Sequence, residues 1–449
     1  MPILKKHNFL QAILSTKKAG SIDREAYLAL QNRRLQSLIK YAKQHSPYFR
    51  ELYSGIDEYS FSLTDLPPTN KVELMSSFND WITDKDITYD IVRDFMENAD
   101  NIGRKLHGKY LIYTTSGSTG NPSVVLTDST VFNVSAAVSV LRAFAHKSDL
   151  QKYMKRGKKT AGLYAVNGFY LASGSMKYNQ RRMPWRKNQL AVNILAPINE
   201  IVHALNEFQP AMLGSYPSML ELLIPEQKAG RLNISPVLIM PGGEFLREDL
   251  RKDLESTFHC HVQTSYSCTE AGIIACECEH GRLHINEDWC IVEAVDENDQ
   301  SVPYGTQSKK ALITNLANYA QPFIRYELND RITIHDEPCE CGKSFRWLEI
   351  EGRTDEILEF KNGVRIAPME LFALLKEIGE IRRYQIIQHD DNKLEVRLMS
   401  EDTTIAYEKA KFSIQRYLES KGTTVAMYLS DTKPQVHRKS GKFRSVYHQ

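Results

Sequence analysis

The chain has 449 residues, of which 42% are hydrophobic, 25% charged and 10% aromatic, a composition that supports a sizeable buried core and excludes a disordered or collagen-like chain. Lys and Arg number 57 against 55 Asp and Glu, leaving +2, so there is no global basic field to hold a nucleic acid and any polyanion must be bound by a local site. At roughly 150 residues per domain the length allows about three domains.

The opening stretch, MPILKKHNFLQAILSTKKAG, mixes lysines with apolar residues and has neither a continuous apolar core nor a small-residue cleavage site. No run elsewhere approaches the roughly 20 apolar residues of a membrane span, so a soluble cytoplasmic protein with no membrane partner is expected. Leu28, Leu35, Leu38, Ile39 and Ala42 then recur at helical spacing, and Pro47 ends what reads as an amphipathic scaffold helix.

The most specific segment is Tyr113 to Val125, YTTSGSTGNPSVV, which runs into a strand-like VVL. Gly117 and Gly120 let the backbone turn its N–H groups inward, and Thr115, Ser116, Ser118 and Thr119 add hydroxyls, which makes an anion nest suited to a polyphosphate. A flexible polar loop is the plainer reading. Neither this segment nor CGKS at Cys341 to Ser344 has the glycine spacing of a Walker A loop, which disfavours an ordinary P-loop ATPase.

From Ala211 to Ser265 short apolar runs (AMLG, PVLIM, HVQTSY) alternate with helix patterns at Pro217 to about Lys228 and Leu246 to Phe258, which predicts parallel βαβ units. Ligands bind beyond the carboxyl ends of such strands, and those ends carry GSYPS, PGGE and SYSCTE. Tyr216, Gly242 and Ser265 are therefore expected to wall a substrate pocket, with Gly243 and Glu244 on its nucleotide side.

After Gly281, strand-like runs without helices (LHINEDWCIVEAV, KALITNL, PFIRYELNDRITI, FRWLEIEG) predict an antiparallel sheet or small barrel. Four of the seven cysteines crowd at Cys276, Cys278, Cys339 and Cys341, with His280 and His284 beside the first pair, a pattern that fits reduced thiols or metal ligation better than a disulfide framework. Thiolate and imidazole at two knuckles suit tetrahedral zinc. A boundary falls near Glu351, giving a large unit of residues 1–351 and a small α+β unit of residues 352–449, with a helix around Pro368 to Ile378 and another ending near Ser420.

Taken in order, these motifs resemble those of the adenylate-forming superfamily. TTSGSTGNP is similar to its phosphate loop. SYSCTEAG resembles its aromatic-x-x-Thr-Glu motif, which implies Tyr266 on adenine, Thr269 near the α-phosphate and Glu270 as a Mg2+ ligand. RYELND resembles its Tyr-Arg-Thr-Gly-Asp motif, which implies Asp330 on the ribose hydroxyls and Arg325 among the catalytic cations. EGRTDEILEF resembles the inter-domain motif, with Arg353 near the ribose and Asp355 at the hinge of a mobile small domain. HRKSGKFR resembles the last motif and nominates Lys442 as the adenylation lysine; by composition alone it is a solvated basic tail.

IKYAKQHSPYFRELY, PGGE, FIRYELND and the CECG stretch look like the phenylacetate-CoA ligase and CapK-like branch. That likeness implies an ATP-dependent ligase that makes an acyl-AMP from an aryl or arylacetic acid and passes the acyl group to a thiol of coenzyme A or of an acyl or peptidyl carrier protein. It also implies Cys278, His284, Cys339 and Cys341 as the zinc set, against free thiols or a tetrad using Cys276 or His280. Two departures stand out: Asn121 occupies the place usually held by lysine, and Asn329 that of glycine. Transfer to a hydroxyl or amine acceptor, and a non-catalytic nucleotide-binding scaffold, are the competing functions.

Overall fold

A computed structural model describes residues 7–115, 122–183, 187–353, 356–366, 368–390 and 393–448. The chain divides into two compact units, one of residues up to Leu328 plus Ile332–Glu349, the other of Asn329–Arg331 plus residues from Ile350 onward. The break after Glu349 lies two residues before the expected break after Glu351. No helix among the described residues is long and apolar enough to cross a membrane.

The expected scaffold helix spans Arg24–His45, started by the Asp23 side chain accepting from the Ala26 N–H. Pro47 stops it and also opens the next helix, Pro47–Leu52, because its missing N–H and fixed φ suit a first helical turn that Ser46 caps. A small antiparallel sheet follows, of β1 (Lys105–Leu106), β2 (Tyr110–Thr114) and β3 (Val124–Thr127).

The parallel layer contains β4 (Thr160–Tyr164), β5 (Gln189–Asn193), β6 (Met212–Ser215), β7 (Leu238–Pro241) and β8 (His261–Val262), in the order β5-β4-β6-β7-β8. Strand order reverses around β4, so a crevice opens beyond the carboxyl ends of β4 and β6. Helices Ile198–Phe208, Pro217–Lys228 and Glu248–Phe258 pack against the sheet through Ile201, Leu205, Leu220, Leu223, Leu250 and Leu254, all at most 3% exposed. The segment HVQTSY, read as one strand, is two. Gln263 is buried and hydrogen-bonded to Ile239 and Ala145, and there the chain steps from β8 into a second sheet.

That second sheet runs β15-β16-β11-β10-β9, from β9 (Ser265–Cys268), β10 (Gly272–Glu277), β11 (Leu283–Ile285), β15 (Asp330–His335) and β16 (Trp347–Arg353). Between β11 and β15 in sequence, β12 (Cys290–Val295), β13 (Lys310–Asn315) and β14 (Tyr326–Leu328) form a third, antiparallel sheet. The architecture is thus mixed α/β, with a parallel layer and antiparallel sheets.

The second unit holds the short hairpin β17 (Leu358–Glu359) and β18 (Arg365–Ile366), and a sheet of β19 (Arg383–Asp390), β20 (Lys393–Met399), β21 (Ala426–Leu429) and β22 (Val446–His448) in the order β21-β20-β19-β22. Helices Pro368–Lys376 and Thr403–Ser420 cover it, burying Leu371, Leu375, Ile414 and Leu418 against Ile386 and Leu394. It has its own apolar core.

Candidate nucleotide site and cysteine cluster

β2 and β3 pair in register down to Thr114 opposite Val124, and the glycine-rich loop leaves from their ends. Its neck is closed twice: the Thr115 N–H donates to the Ser123 carbonyl at 3.0 Å, and the Ser123 N–H to Thr115 Oγ1 at 2.9 Å. Ser116, Gly117, Ser118, Thr119, Gly120 and Asn121 lie outside the described residues.

Thr269 and Glu270 form the tip of the β9–β10 hairpin, with Tyr266 buried one strand back. The tip is fixed in two ways. Gly272 has φ +70°, and a side chain there would press on Ser135 Oγ of the helix Ser129–Arg142. Asn315 Nδ2 donates to the Glu270 carbonyl at 2.9 Å. The Glu270 side chain is 6% exposed and accepts from the Tyr326 phenol at 3.2 Å. Burial pushes its pKa above the usual carboxylate range, opposed by hydrogen bonds that include Tyr326 and Cys268 and by the nearby charge of Lys71.

Ser123, at the base of the loop, lies near enough to the same Tyr326 phenol to lower its pKa, but its buried hydroxyl makes no hydrogen bond among the described residues. Tyr326 thus bonds the hairpin acid and has the base of the loop close by. Sequence reasoning passed over Tyr326; its place in the RYELND stretch was the only signal available.

The rim of the parallel sheet carries the other expected residues. The Gly242 N–H donates to the Ser215 carbonyl at 3.0 Å, and Gly243 has φ +78°, a conformation that favours glycine. The Glu244 carboxylate accepts from both the N–H and the hydroxyl of Ser218, each at 3.0 Å, and so caps helix Pro217–Lys228 from outside it. Burial and the Glu244 charge push the Tyr216 phenol up. Tyr216 meets Tyr164 edge-on at 6.1 Å, and Tyr164 lies over Gly162 and Gly214, register partners on β4 and β6 where a Cβ would come 2.5 Å from its ring or hydroxyl. Ser265 is half-buried and pairs with Cys276 at the start of β9.

Arg325 requires a correction. Its guanidinium, 3% exposed, pairs with Glu293 at 3.0 Å and donates to the carbonyls of Leu66 at 2.6 Å and Asp299 at 3.2 Å. All its nitrogens are committed within the fold, so it does not serve as a cation for phosphates. Asp330 opens β15 and is grouped with the second unit, as are Arg353, at the end of β16, and Lys442. Lys442 belongs to a tight turn in which its carbonyl accepts from the His437 N–H at 2.8 Å. Asp355 lies outside the described residues.

Cys278, His284, Cys339 and Cys341 bring one ligand atom each within 4.8 Å of one another. Cys278 and Cys339 Sγ are 3.8 Å apart, far beyond a disulfide bond and close to the roughly 3.8 Å separating two thiolates on one tetrahedral zinc. His284 Nε2 stands 3.2 Å from Cys341 Sγ, while its Nδ1 is held by the Phe345 carbonyl at 2.9 Å. That bond fixes the tautomer with Nε2 as the free donor atom, the usual arrangement of a metal-binding imidazole. Burial lowers the His284 pKa to about 4, which keeps the ring neutral. Cys276 instead packs in an apolar cluster with Trp289 and Val134, and exposed His280 pairs with Glu340 at 3.5 Å, so neither joins the tetrad.

No family model matches the chain. It is 24% identical over 387 residues to the protein CapK of Staphylococcus aureus, covering 83% of this chain and 78% of that protein. It is 25% identical over 393 residues to the phenylacetate-coenzyme A ligase of Thermus thermophilus, covering 84% and 81%. In fold it is similar to 2-hydroxyisobutyryl-CoA ligase in its postadenylation state with 2-HIB-AMP, at a TM-score of 0.72 and 19% identity over 96% of this chain and 92% of that one. With the ordered motifs, the two relatives support a place in the adenylate-forming superfamily and its phenylacetate-CoA ligase-like branch, and the solved ligase shows the same fold.

Proposed function

We propose that this chain is an ATP-dependent acid–thiol ligase, which converts a carboxylic acid to an acyl-AMP with release of pyrophosphate and then passes the acyl group to a thiol. The observation that carries the proposal is the convergence of Glu270 and the base of the glycine-rich loop on Tyr326.

A carboxylate is a poor electrophile, because its charge is delocalised and its leaving group would be oxide. Adenylation supplies a good leaving group. The protein must hold the carboxylate in line with the α-phosphate and stabilise charge growing on phosphate oxygens, which is positioning and electrostatics rather than proton transfer. In this reading the loop from Thr115 to Gly120 donates to the phosphates, Thr269 lies near the α-phosphate and Tyr266 packs on adenine. Asp330 and Arg353 bind the ribose, and Gly243 and Glu244 line the nucleotide side. Glu270 would hold Mg2+, which would neutralise charge on the phosphates. Lys442 completes the first half-reaction, and Asp355 is the hinge about which the small unit turns for the second.

Cys278, His284, Cys339 and Cys341 would hold a Zn2+ that staples β10 and β11 to the turn before β16. The substrate pocket is walled by Tyr216, Gly242 and Ser265, and the tyrosines Tyr164 and Tyr216 at the crevice favour a flat aryl or arylacetic acid. Coenzyme A is the acceptor favoured by the relatives' names; a carrier-protein phosphopantetheine is the alternative thiol. Incubation with ATP, Mg2+ and a panel of aromatic, amino and fatty acids tests the reading. AMP and pyrophosphate should form with an aryl acid and coenzyme A together, and failure of every acid in the panel would refute it.

A further inference from the structure

We propose that Tyr326 is a positioning residue for Glu270, holding its carboxylate at the hairpin tip and tying it to the base of the glycine-rich loop. The inference rests on the assignment of Glu270 to the nucleotide site. Three sheets meet at this phenol: β14 supplies Tyr326, the β9–β10 turn supplies Glu270, and the approach to β3 supplies Ser123. A phenol has one proton to donate and lone pairs to accept. Here the proton goes to Glu270 Oε1 at 3.2 Å, while the buried Ser123 hydroxyl, which has no hydrogen bond of its own among the described residues, lies nearby.

The ring itself is anchored. Phe323 packs on it edge-on at 5.2 Å, Trp81 packs on Phe323 at 5.0 Å, and Trp81 Nε1 is bonded to the Pro322 carbonyl at 2.7 Å. On the other flank, the Thr69 N–H donates to the Arg325 carbonyl at 2.9 Å and the Glu327 N–H to the Thr69 carbonyl at 2.8 Å, which clamps the backbone on either side of Tyr326. The hydroxyl thus points from a fixed platform. A buried carboxylate with fewer donors would protonate or rotate, so this bond both favours the ionised form and selects one orientation of the two oxygens.

Tyr326→Phe removes the hydroxyl and keeps the ring in its packing. In carboxylate-dependent exchange of pyrophosphate into ATP, the Mg2+ concentration giving half-maximal rate should rise about tenfold and kcat should fall, with the melting temperature unchanged. Calorimetry of Mg-ATP binding gives a second readout. Because Tyr326 acts through Glu270, adding Tyr326→Phe to Glu270→Gln should weaken binding by less than about twofold more. A wild-type Mg2+ response in Tyr326→Phe, additive losses in the double variant, or collapse of the fold would each overturn the proposal. Wild-type protein without exchange activity would remove the reading of the site and this inference with it, whereas an active wild type with an unresponsive Tyr326→Phe removes the inference alone.

Discussion

Glu270 and Arg325 sit within one buried region, yet their surroundings assign them opposite fates. Glu270 is held at a hairpin tip by bonds that leave its acid function intact, so Glu270→Gln should reduce exchange by at least about a hundredfold while leaving the melting temperature unaltered. Arg325 is locked by Glu293 and two carbonyls. Arg325→Ala strands a buried carboxylate and should cost about 3–5 kcal/mol of stability in denaturant unfolding, a loss dominated by folding rather than chemistry. Retention of full stability with loss of exchange would reverse that assignment. The error over Arg325 was built into the sequence. A motif places a residue beside a site, whereas side-chain direction follows from backbone geometry, here a φ of +44° that no local pattern announces. Glu270 was legible because an acid lies two residues past a strand end, and a three-residue turn leaves it few places to go.

At the scale of elements, the cysteine cluster and the small unit's sheet each make a separate prediction. With zinc bound, the cluster would clamp β10 to β11, and the other end of β10 follows Glu270. Protein purified without added zinc should contain one equivalent of the metal, and Cys339→Ser should retain far less and melt several degrees lower. Metal content far below one equivalent in the wild type would dismiss the site. In the small unit, burial raises the Glu395 carboxyl, but hydrogen bonds from Arg397, Ser430 and His389 outweigh it and bring the pKa down to about 2. A carboxyl depressed from about 4.5 stabilises the fold above that pH and loses its contribution as pH falls toward 2. Amide exchange along β19 and β20 should accelerate over that window, and Glu395→Gln should flatten the response; an unchanged acid profile in the variant would contradict it.

Elements were legible wherever pattern and punctuation agreed. The helix Pro217–Lys228 was visible because Pro217 suits a first turn and apolar residues recur behind it. β20 was visible from the alternation in KLEVRLM. β4 and β5 escaped because TAGLY and QLAVN are short, contain glycine or begin polar, and owe their strand state to parallel neighbours. The division at Gln263 was hidden for a similar reason: a buried glutamine that satisfies two backbone partners looks like one more polar residue in a strand.

For the whole molecule, the proposed reaction has two half-reactions that would share one acyl site and use the small unit differently. Lys442→Ala should suppress adenylation strongly while leaving thiolysis of supplied acyl-adenylate within about threefold of wild type, as measured by single-turnover assays of each step. Equal loss in both would deny Lys442 its role in the first step alone. Acid activation at Glu270 is tested by exchange of labelled pyrophosphate into ATP by the intact chain with Mg2+ and an aryl acid, run beside Glu270→Gln. Label should enter ATP only when the acid is present and only in the wild type; exchange that persists in Glu270→Gln, or none with any acid, would refute the proposed ligase.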